Sequence, residues 1–171
     1  MSGRRQSLNL LVSAVWTALF VLPVYTFCAK HTGAAQLVLF LIAGILASIV
    51  PRAILRRLQL SANPLLYRRL RVPLLVRFTQ DAPWLKRLSS GAAANPRHTR
   101  ATLQGLMRDS WMRERFHLGL GVFYALCSAV ALLHMLVAWA VVLTAANLVY
   151  NIYPIWLQQY LRLRIKPLLR H

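Results

Sequence analysis

The sequence predicts an all-α, polytopic membrane protein with four transmembrane helices arranged as two hairpins. Three observations predict this class. Hydrophobic residues make up 58% of the 171 residues, and the mean hydropathy of +0.50 is well above that of an ordinary soluble domain. Apolar runs at residues 8–29, 34–50 and 118–157 are long enough to cross a bilayer, the last of them twice. Lys and Arg are concentrated outside these runs, where charges that set membrane topology lie.

The charge balance is strongly basic: 21 Lys and Arg against 3 Asp and Glu give a formal charge of +18. In a soluble chain this excess would suggest a nucleic-acid partner. We set that class aside because the apolar runs leave no domain free to form a binding groove. In a membrane chain the same charges contact anionic lipid headgroups, and membrane lipids are therefore the expected partners.

The first predicted hairpin is preceded by Arg4 and Arg5. Its first apolar stretch, residues 8–29, is longer than the apolar part of a secretory signal, and no small-residue cleavage site follows it. The polar interval at residues 30–33 is short enough for a turn, and residues 34–50 form the second span. We place both termini in the cytoplasm because the basic residues flank the hairpins on that side.

The second span contains small residues at helical spacing, including Gly44 and Ser48. Such a pattern allows the backbone of another helix to approach closely. Small residues are also common in transmembrane helices without such a role. Both interpretations remain open from the sequence.

A basic amphipathic segment at residues 51–117 is predicted to lie on the cytoplasmic surface between the hairpins. Residues 52–116 contain 14 Lys and Arg and all the acidic residues of the chain, Asp81, Asp109 and Glu114. Asn63 followed by Pro64 predicts the cap and first turn of a short helix in the headgroup layer.

The second hairpin is predicted from residues 118–133 and 136–157, with a turn near His134. Arginines precede and follow this apolar stretch, so two spans return the chain to the same side of the membrane. Asn147 and Asn151 are four residues apart and share one helix face. Amide groups are costly in hydrocarbon unless they are hydrogen-bonded, so this face is predicted to point into the bundle.

No metal site or cofactor is predicted. Cys28 and Cys127 lie in or beside apolar spans without metal-ligand spacing, so we expect free, buried thiols rather than a disulfide. The sequence also lacks a G-x-S-x-G elbow and a Gly-rich phosphate loop.

One group of residues could carry acid–base chemistry: Asp109, Glu114 and His117. Glu114 and His117 are three residues apart and therefore neighbours on a helix, at the predicted membrane surface. A carboxylate beside an imidazole can orient a general base for a hydroxyl group. The alternative is that these acids only form ion pairs with the surrounding arginines, such as Asp109 with Arg113.

Three motifs resemble the glycosyl-4,4′-diaponeurosporenoate acyltransferase family, small integral membrane proteins that acylate a sugar on a carotenoid glycoside. The first is N-x-Y-P-x-x-x-Q-x-Y-x-R-x-R, from Asn151 to Arg164. The second is an acidic residue, Asp109, followed by an A-E-x-x-H element, in which Arg113 replaces the small residue. The third is a Y…V…D-x-P pattern formed by Tyr67, Val72, Asp81 and Pro83. The resemblance covers roughly residues 67–164.

The resemblance implies transfer of a fatty acyl group from acyl-CoA or acyl carrier protein to a hydroxyl of a lipid or glycolipid. It implies His117 as general base, oriented by Glu114 or Asp109, in a protein of the bacterial cytoplasmic membrane. The implied substrate-binding residues are Asp81, Asn151, Gln158, Tyr160, Arg162 and Arg164, with the two arginines binding phosphates or a headgroup.

The chain departs from the family motif at two positions. Gln159 stands where the family usually has Arg, and Leu161 where it usually has Asn. These departures favour a second hypothesis, a non-catalytic membrane scaffold or assembly subunit of a larger complex. Small-residue faces and a cationic belt suit a scaffold and an acyltransferase equally well.

Overall fold

The computed structural model describes residues 3–77 and 100–169, and the secondary structure within these ranges is helical throughout, without strands. This confirms the predicted all-α class. The helices, in chain order, are α1 (Gly3–His31), α2 (Ala34–Ser48), α3 (Arg52–Arg57), α4 (Pro64–Arg69), a 3-10 helix (Val72–Arg77), α5 (Arg100–Leu133), α6 (Val137–Asn147), a π-helical turn (Leu148–Ile152) and α7 (Tyr153–Leu168).

Two helices of the described part are long and apolar enough to cross a membrane. They are α5 and the continuous helix Val137–Leu168 formed by α6, the π-helical turn and α7. Helix α2 is apolar but has only 15 residues, ending at Ser48 rather than at the predicted residue 50. At 1.5 Å per residue it is about 22 Å long, shorter than the hydrocarbon core of a typical bilayer.

The sequence predicted that the last span ends at residue 157, but the helix continues beyond that residue. It continues to Leu168, and one face of the extension, including Leu161 and Ile165, is buried. This burial against the rest of the protein explains why the basic C-terminal stretch is helical rather than a surface tail.

The turn between α5 and α6 lies where it was predicted, around His134. Met135 adopts a left-handed conformation with φ of 57°. The Met135 N–H donates to the Leu132 carbonyl and the Leu136 N–H to the Ala131 carbonyl, which is the Schellman arrangement that ends helices. Helices α5 and α6 therefore form a tight antiparallel hairpin.

Helices α2 and α5 cross closely at two glycines. A Cβ atom built on Gly119 would lie 2.7 Å from the Gly44 carbonyl oxygen and 3.0 Å from the Ser48 Cβ. No side chain larger than hydrogen fits this distance. The small residues of α2 thus have the packing role that was one of the two interpretations of their spacing.

Helix α1 packs on α5 and α6 through an apolar cluster that includes Phe27 and Tyr124. The Tyr124 hydroxyl donates to the Phe20 carbonyl at 2.6 Å. Cys28 and Cys127 are free, as expected, but their sulfur atoms lie in contact at 3.7 Å. No pattern in the sequence predicts this proximity between α1 and α5.

The two tight turns of the fold lie at the same end of the molecule. Thr32 and Gly33 between α1 and α2, and His134 between α5 and α6, line one open hollow of about 550 Å³. The other half of α5, from Arg100 to about the middle of the helix, carries Glu114 and its arginine neighbours, and the candidate site is found there.

Candidate functional site

A buried ion pair joins α5 to α7. The Arg162 Nη2 lies 2.5 Å from the Glu114 Oε2, and the two side chains are only 7% and 1% exposed. Helices α5 and α7 run side by side here, which brings two residues distant in sequence into contact. Burying both charges is costly unless their remaining hydrogen-bonding capacity is also used, and the neighbouring residues provide it.

Gln159 connects the carboxylate to α4. Its Nε2 donates to the Glu114 Oε1 at 2.8 Å, and its Oε1 lies 3.1 Å from both the Leu60 N–H and the Tyr67 hydroxyl. Tyr67 is held in place because Asn63 caps α4, accepting the Leu65 N–H at 2.9 Å. This cap confirms the helix start predicted from Asn63 and Pro64.

The Tyr67 side chain is fully buried, and its hydroxyl also contacts the Ser61 backbone. Burial raises the pKa of the Tyr67 phenol above 10.0, against the opposing effect of the Ser61 hydrogen bond and the Arg162 charge. Tyr67 is therefore a neutral hydrogen-bonding group in this cluster at physiological pH.

The other side of the Arg162 guanidinium faces α5. Its Nη1 donates to the Ser110 hydroxyl at 3.1 Å, and its plane lies over the Trp111 ring at 3.7 Å. Ser110 in turn donates to the Gln158 carbonyl at 3.1 Å. The guanidinium is thus enclosed by an acid, a hydroxyl and an aromatic face.

The structure thus places Arg162, which was expected to bind phosphates or a headgroup, in an enclosed environment. The side chain lies inside the protein, and Glu114 already neutralises its charge. Arg164, the second predicted binding arginine, is half-buried two residues later in α7.

The other predicted residues of the C-terminal motif are also inside the protein. Tyr160 is fully buried with its ring centroid 6.1 Å from that of Tyr67, and within the described residues its hydroxyl has no hydrogen-bond partner. Gln158 is buried and lines a small hollow of about 110 Å³ together with Asp109, which is half-buried. The cluster thus joins residues of all three motifs.

His117 is on the same helix as Glu114 but does not share its cluster. Both Glu114 oxygens are engaged by Arg162 and Gln159, so the expectation that Glu114 orients the imidazole is not met by this geometry. The imidazole instead lies beside the Tyr150 carbonyl and the Asn151 side-chain amide. Its Nδ1 is buried, and no hydrogen-bond partner for it is found in the described part of the chain.

The segment facing His117 is the π-helical turn Leu148–Ile152. Pro154 has no N–H, so the helix lacks the usual donor, four residues on, for the Tyr150 carbonyl. Just before the proline, the Tyr153 N–H donates to the Leu148 carbonyl, five residues back instead of the usual four. This bond widens the helix by one residue. Such π-helical turns recur at functional sites because they redirect backbone carbonyls and side chains.

Polar side chains continue from the π-helical turn into the bundle, as the four-residue spacing of the asparagines predicted. The Asn151 Nδ2 donates to the Asn147 Oδ1 at 2.9 Å, and the Asn147 Nδ2 donates to the Gly121 carbonyl at 3.0 Å. Asn151 is fully buried. His117 therefore lies at the end of a line of two hydrogen-bonded amides between α5 and the last helix.

Two predicted residues, Asp81 and Pro83, lie outside the described residues. Within residues 3–77 and 100–169 there is no group of three or more His, Cys, Asp or Glu side chains that could hold a metal ion.

Sequence reasoning missed four members of the buried cluster: Tyr67 as a hydrogen-bonding group, Ser110, Trp111 and Gln159. Gln159 was noted only as a departure from a motif, yet it bonds Glu114 directly. One signal for it was available. Gln158, Gln159 and Arg162 fall on one side of an otherwise apolar helical stretch that also carries Leu157 and Leu161, and this pattern indicates a buried polar face.

Comparison with known proteins adds one match. A family model described as glycosyl-4,4′-diaponeurosporenoate acyltransferase matches residues 51–171. No curated protein and no solved structure matches the chain. The matched range contains the buried cluster, His117 and the π-helical turn, and begins just after α2.

Proposed function

Since the chain belongs to the glycosyl-4,4′-diaponeurosporenoate acyltransferase family, we propose that it transfers a fatty acyl group from a thioester donor to a hydroxyl of a membrane lipid or glycolipid. One observation of the structure carries this proposal furthest. Tyr67, Glu114 and the Gln158–Arg162 stretch are far apart in sequence and converge on one buried cluster, with His117 one helical turn beyond it. A buried polar arrangement at the edge of an apolar bundle is a functional-site candidate.

The proposed general base is His117. In the reaction, its unprotonated nitrogen accepts the proton of the acceptor hydroxyl as the oxygen attacks the thioester carbonyl. The carbon–sulfur bond then breaks, and the imidazolium returns the proton to the leaving thiolate. Asn151, which lies beside the ring, is the side chain that positions it. Every atom of this step comes from the two substrates and one imidazole.

The position of His117 suits both substrates. Residues 100–115 of α5 carry the charges, and the helix is apolar from Leu118 to Leu133. A lipid hydroxyl can reach this boundary from the membrane, and an acyl-CoA or acyl carrier protein can reach it from water. The strongly cationic end of the molecule would attract either anionic donor.

In this proposal Glu114 and Arg162 position other residues rather than react. Their pairing fixes α7 against α5, and Gln159 extends the connection to α4. The relative placement of His117 and the π-helical turn depends on this contact between the helices. Asp109 and Gln158 line the adjacent hollow and are the candidates for contact with the acceptor.

For the membrane arrangement we propose four spans, both termini in the cytoplasm, and insertion in the bacterial cytoplasmic membrane. The two tight turns at one end of the molecule and the arginine-rich end opposite them support it. Short α2 would cross with its ends at the headgroup level. Reporter fusions at the N terminus, the C terminus and residue 33 test this, and opposite signals from the termini would contradict it.

Lipid extracts provide the test of the activity. Mass spectrometry should compare cells that contain the chain with cells from which its gene is deleted. We expect the deletion to lose a lipid or glycolipid and to accumulate a species lighter by one fatty acyl group. Identical lipid profiles would contradict acyl transfer.

Identical profiles would instead support a non-catalytic scaffold. One observation favours that alternative: Glu114 and Arg162 neutralise each other and need no substrate to do so. A scaffold role predicts loss of a partner complex in the deletion, without any change in lipid acylation.

A further inference from the structure

A second hollow lies outside the cluster, where the end of α2 and the start of α3 meet the charged half of α5. Its volume is about 390 Å³. Its lining combines polar and basic side chains with large apolar ones: Ser48, Arg52, Arg108, Arg115, Trp111, Met112 and Phe116.

Three arginines, Arg52, Arg108 and Arg115, line this hollow, and none of its described lining residues carries a carboxylate. Within the described residues none of the three forms an ion pair, and the Arg115 Nε is buried without a hydrogen-bond partner. Two described carboxylates are near these arginines in sequence: Glu114 is paired with Arg162, and Asp109 lines the other, smaller hollow. Three like charges at one hollow repel each other unless an anion lies between them.

The hollow also lies at the depth where α5 changes from charged to apolar. Met112 and Phe116, which line it, are 65% and 57% exposed, and Ile49, directly after α2, is 64% exposed. Below them the outer face of α2 presents exposed apolar side chains such as Ile45. A ligand that matches both the arginines and the apolar face of α2 has an anionic headgroup and a hydrocarbon chain.

We propose that this hollow binds the phosphodiester of a membrane glycerophospholipid, with its acyl chains against α2 and α5. Guanidinium groups match phosphate oxygens in pairs of parallel hydrogen bonds, and basic pockets beside membrane helices bind lipid headgroups in this way. Ser48 also lines the hollow, and its hydroxyl donates to the Ile45 carbonyl at 2.7 Å, so the arginines are the donors for the phosphate. This inference does not depend on the proposed acyl transfer.

Trp111 connects this lipid site to the buried cluster. One face of its ring lies against the Arg162 guanidinium, and the same side chain lines the hollow. A bound lipid would hold Trp111 against Arg162. Binding to the folded state alone raises stability, so the lipid should also protect the protein against thermal unfolding.

The test is native mass spectrometry of the purified full chain in detergent with added phosphatidylglycerol. The test variant is Arg52→Gln/Arg108→Gln/Arg115→Gln. The matched control is Arg56→Gln/Arg57→Gln/Arg68→Gln, which removes the same charge from exposed arginines outside the hollow. We expect wild type and control to retain one phosphatidylglycerol per chain. In the test variant, the fraction of chains with bound phosphatidylglycerol should be at least tenfold lower. The single variant Arg52→Gln, at an exposed position, provides the same comparison if the triple variant does not fold.

Two further additions identify the ligand chemistry. Diacylglycerol, which lacks the phosphate, should not be retained, and coenzyme A should not displace the phospholipid. Equal retention by wild type and the test variant would overturn the proposal. Displacement of phosphatidylglycerol by coenzyme A at micromolar concentration would also overturn it, because the hollow would then be a donor site.

Discussion

Glu114 on α5 and Arg162 on α7 form an ion pair that is almost completely shielded from solvent, with Oε2 and Nη2 2.5 Å apart. The pair is surrounded by Gln159, Ser110 and the Trp111 ring, so each charged group has several partners. A buried pair of this kind is costly to break from one side only, because the remaining charge has no partner.

Replacing Glu114 by Gln should therefore destabilise the protein strongly. The substitution keeps the shape of the side chain but leaves the Arg162 charge buried, which typically costs about 3–5 kcal/mol. Thermal unfolding in detergent should show a large decrease in Tm. Asp109→Asn removes a charge from the half-buried face of the same helix and should change stability by less than about 1 kcal/mol.

The double variant Glu114→Gln/Arg162→Met separates charge from packing. Removing both charges should recover a large part of the stability lost in Glu114→Gln, since apolar replacements of buried pairs are often well tolerated. A double variant less stable than Glu114→Gln alone would show that the ion pair is not what the single substitution disrupts.

Tyr67→Phe should weaken the connection between α4 and α7. It removes the hydroxyl that contacts Gln159 and Ser61, leaving buried groups without a partner at a cost of about 1–3 kcal/mol. The exposed Tyr25 provides the matched control, and Tyr25→Phe should leave Tm unchanged.

The pH dependence of Tyr67→Phe tests the same group independently. Burial raises the Tyr67 pKa above 10.0, so the folded protein holds the phenolic proton more tightly than the unfolded chain. The stability that depends on this proton is complete below pH 10 and is lost as the pH rises through the raised pKa. The difference in Tm between wild type and Tyr67→Phe should therefore narrow above about pH 10. A constant difference would contradict the buried phenol.

Gly119→Ala should disrupt the crossing of α2 and α5. The added Cβ would lie 2.7 Å from the Gly44 carbonyl oxygen, so the helices must move apart, at about 1–3 kcal/mol. Gly105→Ala, on the same helix but in open space, should leave stability unchanged or raise it by up to about 1 kcal/mol. Equal effects of the two substitutions on Tm would show that the close crossing is absent.

Oxidation of membranes with copper phenanthroline should join Cys28 to Cys127 within one chain. Their sulfur atoms are 3.7 Å apart, and a small rotation of the side chains brings them to bonding distance. Both thiols should then resist maleimide labelling after denaturation, and reduction should restore the labelling. Persistent labelling of both cysteines, or crosslinked dimers alone, would place α1 elsewhere.

Hydrophobic patterning predicted the helices well because it depends only on local sequence. The turn at His134 and the capped helix after Asn63 follow from composition and short-range chemistry. The partners of Glu114 could not be predicted in the same way. Its nearest arginines in sequence, such as Arg113 and Arg115, suggested local ion pairs, whereas the folded chain supplies Arg162 from another helix.

The same limitation applies to the contact between Cys28 and Cys127 and to the surroundings of His117. Spacing on one helix suggested that Glu114 orients the imidazole. In the folded protein the two side chains have different partners. Glu114 contacts Gln159 on α7, whereas His117 lies beside Tyr150 and Asn151. These contacts between helices depend on tertiary packing, which local sequence patterns do not predict.

The most direct measurement is mass spectrometry of lipids from deletion cells that carry wild type, His117→Ala or His134→Ala. His134, in the turn at the far end of α5, is exposed and provides the matched control. The proposal predicts that wild type and His134→Ala restore the species heavier by one fatty acyl group, while His117→Ala, produced at the same level, does not. Full restoration by His117→Ala would contradict the assignment of the base, and no acylated species with wild type would contradict acyl transfer itself.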